Sequence, residues 1–260
     1  MGPDEQASSA GDDGILHELV RLSRQDPSRG LLQFGGLAAA RQYRPLYRAV
    51  RRFVPRGAHV LDWGAGNGHF SYFLLRAGYR ATAFSLAPGG FDRWLPAGEW
   101  RFVSGSPDEP TRLPFPDASF DAVTSVGVLE HVHELGGDDR KSLDELVRVL
   151  RPGGVFVCCH LPNHWSWIEL VARRRPELHA HGVRYRPRDV AALLAGAGLE
   201  PLQVRRYGFL PRNAWSRAPR ALSDAPAIVA AWDALDGALG AVLPGLCQNF
   251  LIVARRPDLT

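Results

Sequence analysis

Lysine is almost missing from this chain: Lys141 is the only one, so the positive side of a formal net charge of +4 is carried by arginine. No dense basic run with interleaved aromatics accompanies that excess, which removes the footprint expected of a nucleic-acid binder. Cysteine is scarce too. Cys158, Cys159 and Cys247 form no CxxC pair, which excludes both a disulfide framework and a thiolate metal site. The adjacent pair lies in an apolar run, where a strand points the two thiols to opposite faces as buried groups. No window approaches the roughly 18 uninterrupted apolar residues of a membrane span. The first residues, MGPDEQASSAGDDG, lack the basic and then apolar regions of a secretory signal, so a cytoplasmic protein without a membrane span is expected.

What is present fits one soluble domain. The 260 residues, 45% hydrophobic and 22% charged, suffice for a single α/β domain with an added cap. Residues 1–13 are polar and read as a disordered tail. Residues 14–54 carry apolar positions at three and four spacing and read as an N-terminal helical cap, with Pro45 kinking or restarting its second helix. From there to residue 257, short apolar runs alternate with helical patterns. Strands are expected at 59–63, 80–86, 120–125, 155–160, 202–207 and 248–254, and helices at 70–77, 139–150 and 187–197. That alternation argues for a mostly parallel sheet with helices on both faces. A helical insert spans about 210–246.

The stretch HVLDWGAGNGHFSYFLL concentrates the functional signal. Asp62 ends the first strand, and Gly64, Ala65, Gly66, Asn67 and Gly68 turn the chain into a helix. In an open parallel sheet, ligands bind beyond the carboxyl ends of the strands. A dinucleotide fingerprint needs a small residue where this chain has His69, so that reading fails. What remains, D-x-G-x-G-x-G, suits a ligand with an ammonium for the carboxylate to recognise and no pyrophosphate.

Three stretches in order carry a resemblance: VLDWGAGNGHFSYFLLRAGYRATAFSL, LPFPDASFDAVTSVGVLEHV and ELVRVLRPGGVFVC. Together they resemble the class I S-adenosylmethionine-dependent methyltransferases, the broad group that includes ubiquinone and menaquinone methyltransferases and many small-molecule enzymes. The resemblance implies a Rossmann-like seven-stranded sheet of order 3-2-1-4-5-7-6 with the seventh strand antiparallel. It implies S-adenosyl-L-methionine as cofactor, held by Asp62 and the loop Gly64–Gly68, with the backbone at Ser125 and Val126 closing over it and Tyr43 reaching in from the cap. Two positions depart from the family. Ser85, followed by Leu86, stands where an acid usually accepts both ribose hydroxyls, a loss of roughly 1–3 kcal/mol. Ser106 stands where an acid commonly meets the adenine, and Asp108 takes that place only if its loop folds back.

Methyl transfer from a sulfonium asks mainly for alignment and, for a hydroxyl acceptor, a base. His131, just past the fourth strand, is the candidate base; packing is its other reading. Asn163, His164, Trp165 and Trp167 follow the fifth strand and are candidate acceptor contacts or a self-packed lid. His179 and His181 have an i, i+2 spacing with no matching carboxylate pattern, so no metal is expected. The reading is therefore a methyltransferase acting on a small-molecule acceptor, as a monomer or homodimer. One rival is a nucleic-acid methyltransferase, which SVGVLEH does not support because it lacks an Asn/Asp-Pro-Pro-aromatic run. The other, motivated by Ser85 and Ser106, is a repurposed fold with altered cofactor use.

Overall fold

Strand residues send alternate side chains into two separate cores, and that alternation builds the molecule in three layers. Val60 joins the core under the cap, whereas Leu61 and Trp63 join the core on the other face. The same rule separates the adjacent thiols: Cys159 lies in the first core and Cys158 in the second. The computed structural model describes residues 3–87, 94–96, 98–175 and 180–258, with the side chains of 3–10, 213, 216 and 217 set aside.

The elements in chain order are α1 (Pro3–Gln25), α2 (Leu37–Ala40), α3 (Arg44–Phe53), β1 (His59–Trp63), α4 (His69–Arg76), β2 (Arg80–Ser85), β3 (Trp100–Ser104), β4 (Phe120–Val126), α5 (Asp139–Val149), β5 (Leu150–Pro162), α6 (Trp167–Ala172), α7 (Pro187–Gly196), β6 (Glu200–Tyr207), α8 (Arg220–Ser223), α9 (Pro226–Val242) and β7 (Asn249–Arg255). The sheet order is β3-β2-β1-β4-β5-β7-β6. β7 runs antiparallel to β5 and β6, and the other pairings are parallel. This is the order the resemblance implies. Strand β3 was not among the expected strands. It is a half-exposed edge strand of five residues, so it lacks both a fully buried run and a clean alternation.

The cap packs on one face of the sheet through Leu16, Leu19, Leu46 and Val50, and Tyr47 stacks on Phe73 of α4 at 3.7 Å. Pro45 occupies the first turn of α3, where its missing N–H costs nothing, after a 3-10 turn over Arg41–Tyr43. Helix α1 runs through the segment expected to be a disordered tail. Its acidic pair fastens the end of that segment to the cap. Asp12 is fully buried and accepts from Arg51 Nε at 2.5 Å, while Asp13 pairs with Arg44 at 3.2 Å and Arg41 at 3.3 Å. Among the described residues, no helix is long and apolar enough to cross a membrane.

The insert returns to the cap. Arg24 bridges to Asp224 at 2.7 Å, Asp224 also accepts from the Leu37 backbone N–H at 3.0 Å, and Arg41 reaches Asp233 of α9 at 2.9 Å. These contacts join segments nearly 200 residues apart. They roof the carboxyl ends of β5 and β6.

Candidate active site

The turn after β1 is fixed by its own backbone. The amides of Gly64 and Ala65 both donate to the Phe84 carbonyl at 2.9 Å, and Gly64, Gly66 and Gly68 have φ of 75°, 54° and 78°. Side chains rarely adopt that region, so glycine is required there before any ligand is considered. At Gly64 a Cβ would also lie 2.4 Å from Val128, whereas at Gly66 its nearest contact is 3.8 Å away. Close ligand approach is therefore an argument for Gly66 and not for Gly64. Asn67 ties the loop to the cap by donating to the Gly30 carbonyl at 2.9 Å, and its Oδ1 meets His69 Nδ1 at 2.7 Å.

Asp62 is 1% exposed and accepts from Ser71 Oγ at 2.6 Å. Burial pushes its carboxyl pKa up to about 6, because no cation among the described residues stands beside it. A buried carboxylate at a strand's carboxyl end, next to a loop with open space over Gly66, fits a ligand carrying an ammonium. Ser125 and Ala65 are also buried, and Val126 is half-buried.

The far end of this groove is built differently. Ser85 Oγ accepts from the Ala87 amide at 3.4 Å, and Ser106 Oγ from the Asp108 amide at 3.3 Å. Asp108 is exposed at the surface of its loop. Leu86 is held in place by Gly105, where a Cβ would lie 2.8 Å from it. Among the described residues, then, serines and not acids stand at the ends of β2 and β3.

Beyond β5 lies a cavity of about 1050 Å³ walled by the cap, α6, β6 and the insert. Six arginines line it, Arg41, Arg44, Arg48, Arg205, Arg206 and Arg212, against only two carboxylates, Asp233 and Asp236. Arg41 and Arg212 share Asp233, and Arg212 also meets Asp236 at 3.2 Å. Arg48, Arg205 and Arg206 pair with no carboxylate among the described residues.

His160 forms one corner of that cavity, and the sequence reading passed over it as the end of a strand. It is one of two non-glycine residues with positive φ among the described residues, at 60°. Such an αL backbone at a bulky residue persists only where surroundings impose it. Here Tyr207 does so: its hydroxyl accepts from the His160 amide at 3.0 Å and meets Nδ1 at 3.1 Å. Tyr43 reaches in from the cap to contact the ring edge-on at 5.2 Å, and also contacts His69 at 4.9 Å. Burial pushes the His160 pKa down to about 4 and that of His69 to about 3, so both rings are neutral. Nε2 of each is buried without a hydrogen-bond partner among the described residues.

Only part of the expected acceptor set reaches this cavity. Trp167 does, with Nε1 donating to the Phe209 carbonyl at 2.8 Å. Asn163 is fully buried off the cavity wall, and its amide donates at 2.8 Å to the carbonyls of Gly245 and Cys247, which fastens the end of β5 to the turn before β7. His164 packs on Trp165, whose exposed ring lies against Arg186. His131 is not on the cavity wall; its Nδ1 meets Glu134 at 2.9 Å. His179 lies outside the described residues, while His181 holds Glu169 at 2.7 Å.

An open α/β sheet with a glycine turn and a buried acid at its first strand defines a ligand-binding fold, and comparison with known proteins narrows it. A family model described as a methyltransferase domain matches residues 61–158. An uncharacterized methyltransferase of Mycobacterium sp. (strain JLS) is 30% identical over 231 residues, which is 86% of this chain and 79% of that protein. The demethylmenaquinone methyltransferase of Clavibacter sepedonicus is 42% identical over 105 residues, covering 40% of this chain and 41% of its own. A chain of the complex between the Haloferax volcanii Trm112 methyltransferase activator and a methyltransferase superposes with a TM-score of 0.60 at 19% identity, covering 92% of this chain and 98% of that one. The protein belongs to the class I S-adenosylmethionine-dependent methyltransferase family, and its methyl donor is S-adenosyl-L-methionine.

Proposed function

We propose that the enzyme methylates a small anionic acceptor, one carrying a carboxylate or phosphate beside the atom that receives the methyl group. The observation that carries this reading is the six-to-two excess of arginine over carboxylate around the cavity. Arg48, Arg205 and Arg206 supply charge that the protein's own carboxylates leave available. A neutral quinone would leave those guanidiniums facing an uncharged guest. The methyltransferase-domain match spans residues 61–158, and apart from His160 just beyond its end the cavity is lined by the cap before it and by α6, β6, the insert and β7 after it.

In this reading Asp62 takes the ammonium of the methionine end, Gly66 lets the ligand come close, and Tyr43 closes the cap side. When bound, S-adenosyl-L-methionine supplies an electrophilic methyl group on a good leaving group. The chain then has two tasks: to align the acceptor and to keep water out. Trp167 and Tyr207 bound the acceptor, and the arginines orient its charged end. His160, neutral and buried at the cavity corner, is the residue that accepts the acceptor's proton. An anion bound beside it raises the basicity that burial lowers, which ties base function to acceptor binding.

The test is a panel of hydroxylated carboxylic and phosphoric acids, each beside its neutral methyl ester, incubated with the enzyme and cofactor. Product is read by mass spectrometry and by release of the demethylated cofactor. Methylation of acids over esters, with KM raised at least tenfold in Arg205→Ala and Arg206→Ala, is the expected result. Equal turnover of acid and ester would sink the anionic acceptor.

A further inference from the structure

The turn after β4 and the loop ahead of α7 bring together three side chains that lie off the wall of the acceptor cavity. Glu130, His131 and His181 each offer one ligand atom, and these atoms lie within 4.8 Å of one another. They come from positions 50 residues apart, so no local spacing reveals them. Glu130 is 2% exposed, and its Oε2 has no hydrogen-bond partner among the described residues. A carboxylate placed out of water in this way calls for a cation or a proton.

Both histidines are held from behind. His131 Nδ1 meets Glu134 Oε1 at 2.9 Å, and its Nε2 stands 3.9 Å from Glu130 Oε1. His181 Nδ1 meets Glu169 Oε1 at 2.7 Å, while Glu169 Oε2 accepts from the His181 amide at 3.1 Å. Glu169 is itself 1% exposed and sits in the first turn of α6, its amide bound by the Ser166 cap. A carboxylate behind each imidazole is how metal-binding histidines are oriented and made more basic.

We propose that Glu130, His131 and His181 bind one divalent transition-metal ion of the zinc class. Two imidazoles and one carboxylate suit such an ion, whereas magnesium and calcium prefer all-oxygen sets. Bonds of about 2.1 Å place tetrahedral ligands about 3.4 Å apart, so the cluster closes by about an ångström, within reach of a rotation of the half-exposed His131. The site adjoins the cavity corner: a Cβ on Gly127 would lie 3.8 Å from both Glu130 Oε1 and His160 Cβ. An ion there can polarise an acceptor oxygen next to His160, a role that rests on the acceptor reading above; the binding of the ion does not.

The probe is cobalt(II), titrated into full-length protein freed of metal by a chelator, with zinc then displacing it. One equivalent with the visible absorption of a four- or five-coordinate ion is expected. Glu130→Gln and His181→Ala should each weaken binding at least tenfold, Glu169→Gln by about tenfold through loss of orientation alone, and His17→Ala, on the exposed face of α1, not at all. Near-ultraviolet circular dichroism checks that each variant folds, and the isosteric Glu130→Gln carries the test if His181→Ala does not. No stoichiometric cobalt, or binding undiminished in Glu130→Gln, overturns the site. S-adenosyl-L-methionine titrated in parallel separates the two ideas, since cofactor binding without metal leaves the methyltransferase intact and removes only the ion.

Discussion

The two ends of the site are built by opposite means. Around β1 the chain uses backbone: two amides on one carbonyl, three glycines of positive φ, and a single buried acid. Around β5 and β6 it uses side chains, with Arg41 of the cap and Arg212 of the insert set against aspartates of α9 and the arginines of β6 beside them. The first end is compact and shared with relatives; the second is roomy, cationic and assembled from distant segments. A ligand common to a family is recognised by geometry that any sequence with the right glycines can form. A ligand particular to one enzyme is recognised by charges that only this fold's insert and cap bring face to face.

Substitution in the glycine turn should have the largest effect. Gly64→Ala combines an unfavourable φ with a Cβ 2.4 Å from Val128, and should lower unfolding free energy by about 3 kcal/mol in a urea titration. Gly66→Ala meets open space and should cost about 1 kcal/mol while weakening cofactor binding, which isolates the contribution of close approach. Equal destabilisation by the two would erase the distinction drawn between them.

Asp62 sharpens the comparison through pH. Its folded-state pKa of about 6 stands above the ordinary 3.8, so the folded protein is penalised for its charge. That penalty is absent below about pH 4, grows to about pH 6, and is complete above it. Asp62→Asn should therefore stabilise the cofactor-free protein by about 2 kcal/mol at pH 8 and little at pH 4. The same change should abolish cofactor binding, whose affinity in the wild type rises as pH increases through 6. Urea titrations at both pH values and calorimetry with the cofactor measure the two trends, and a pH-independent difference in stability would contradict the assignment.

At the other end, His160→Asn should cut turnover about 100-fold with little loss of stability, because asparagine tolerates positive φ better than histidine's imposed geometry requires. Steady-state kinetics across pH then decides: an unchanged kcat would return the base to His131 or to no residue at all. The smallest effect belongs to the strap between cap and insert. Arg24→Ala removes a partly exposed pair with Asp224 and should lower Tm by a few degrees, about 1 kcal/mol.

Much of the cofactor end could be read along the chain, since Asp62, the glycines and the strand–helix alternation are local patterns. Strand β3 escaped because, at the edge, its residues are half-buried or exposed on both faces, so it shows neither a buried run nor an alternation. Asn163 was read as an acceptor contact because it follows β5, yet its carbonyl partners lie more than 80 residues away. His160 escaped for the complementary reason. It closes an apolar run as any strand end might, and what marks it, the hydroxyl of Tyr207 across the sheet, comes from a strand 47 residues on. His181 was weighed against its neighbour His179, while its carboxylate partner Glu169 and its neighbour Glu130 come from elsewhere in the chain.

By itself the sequence determined the alternation of six of the strands with their helices, the sign of φ at the turn after β1, and the placing of Cys158 and Cys159 in opposite cores, because sterics and side-chain alternation act between residues near in the chain. Only the tertiary structure decided which arginines face the cavity, which histidine sits at its corner, and which three ligands meet beside it. Charge and hydrogen bonding depend on distance through space, and that distance exists only once the sheet has brought its far segments together.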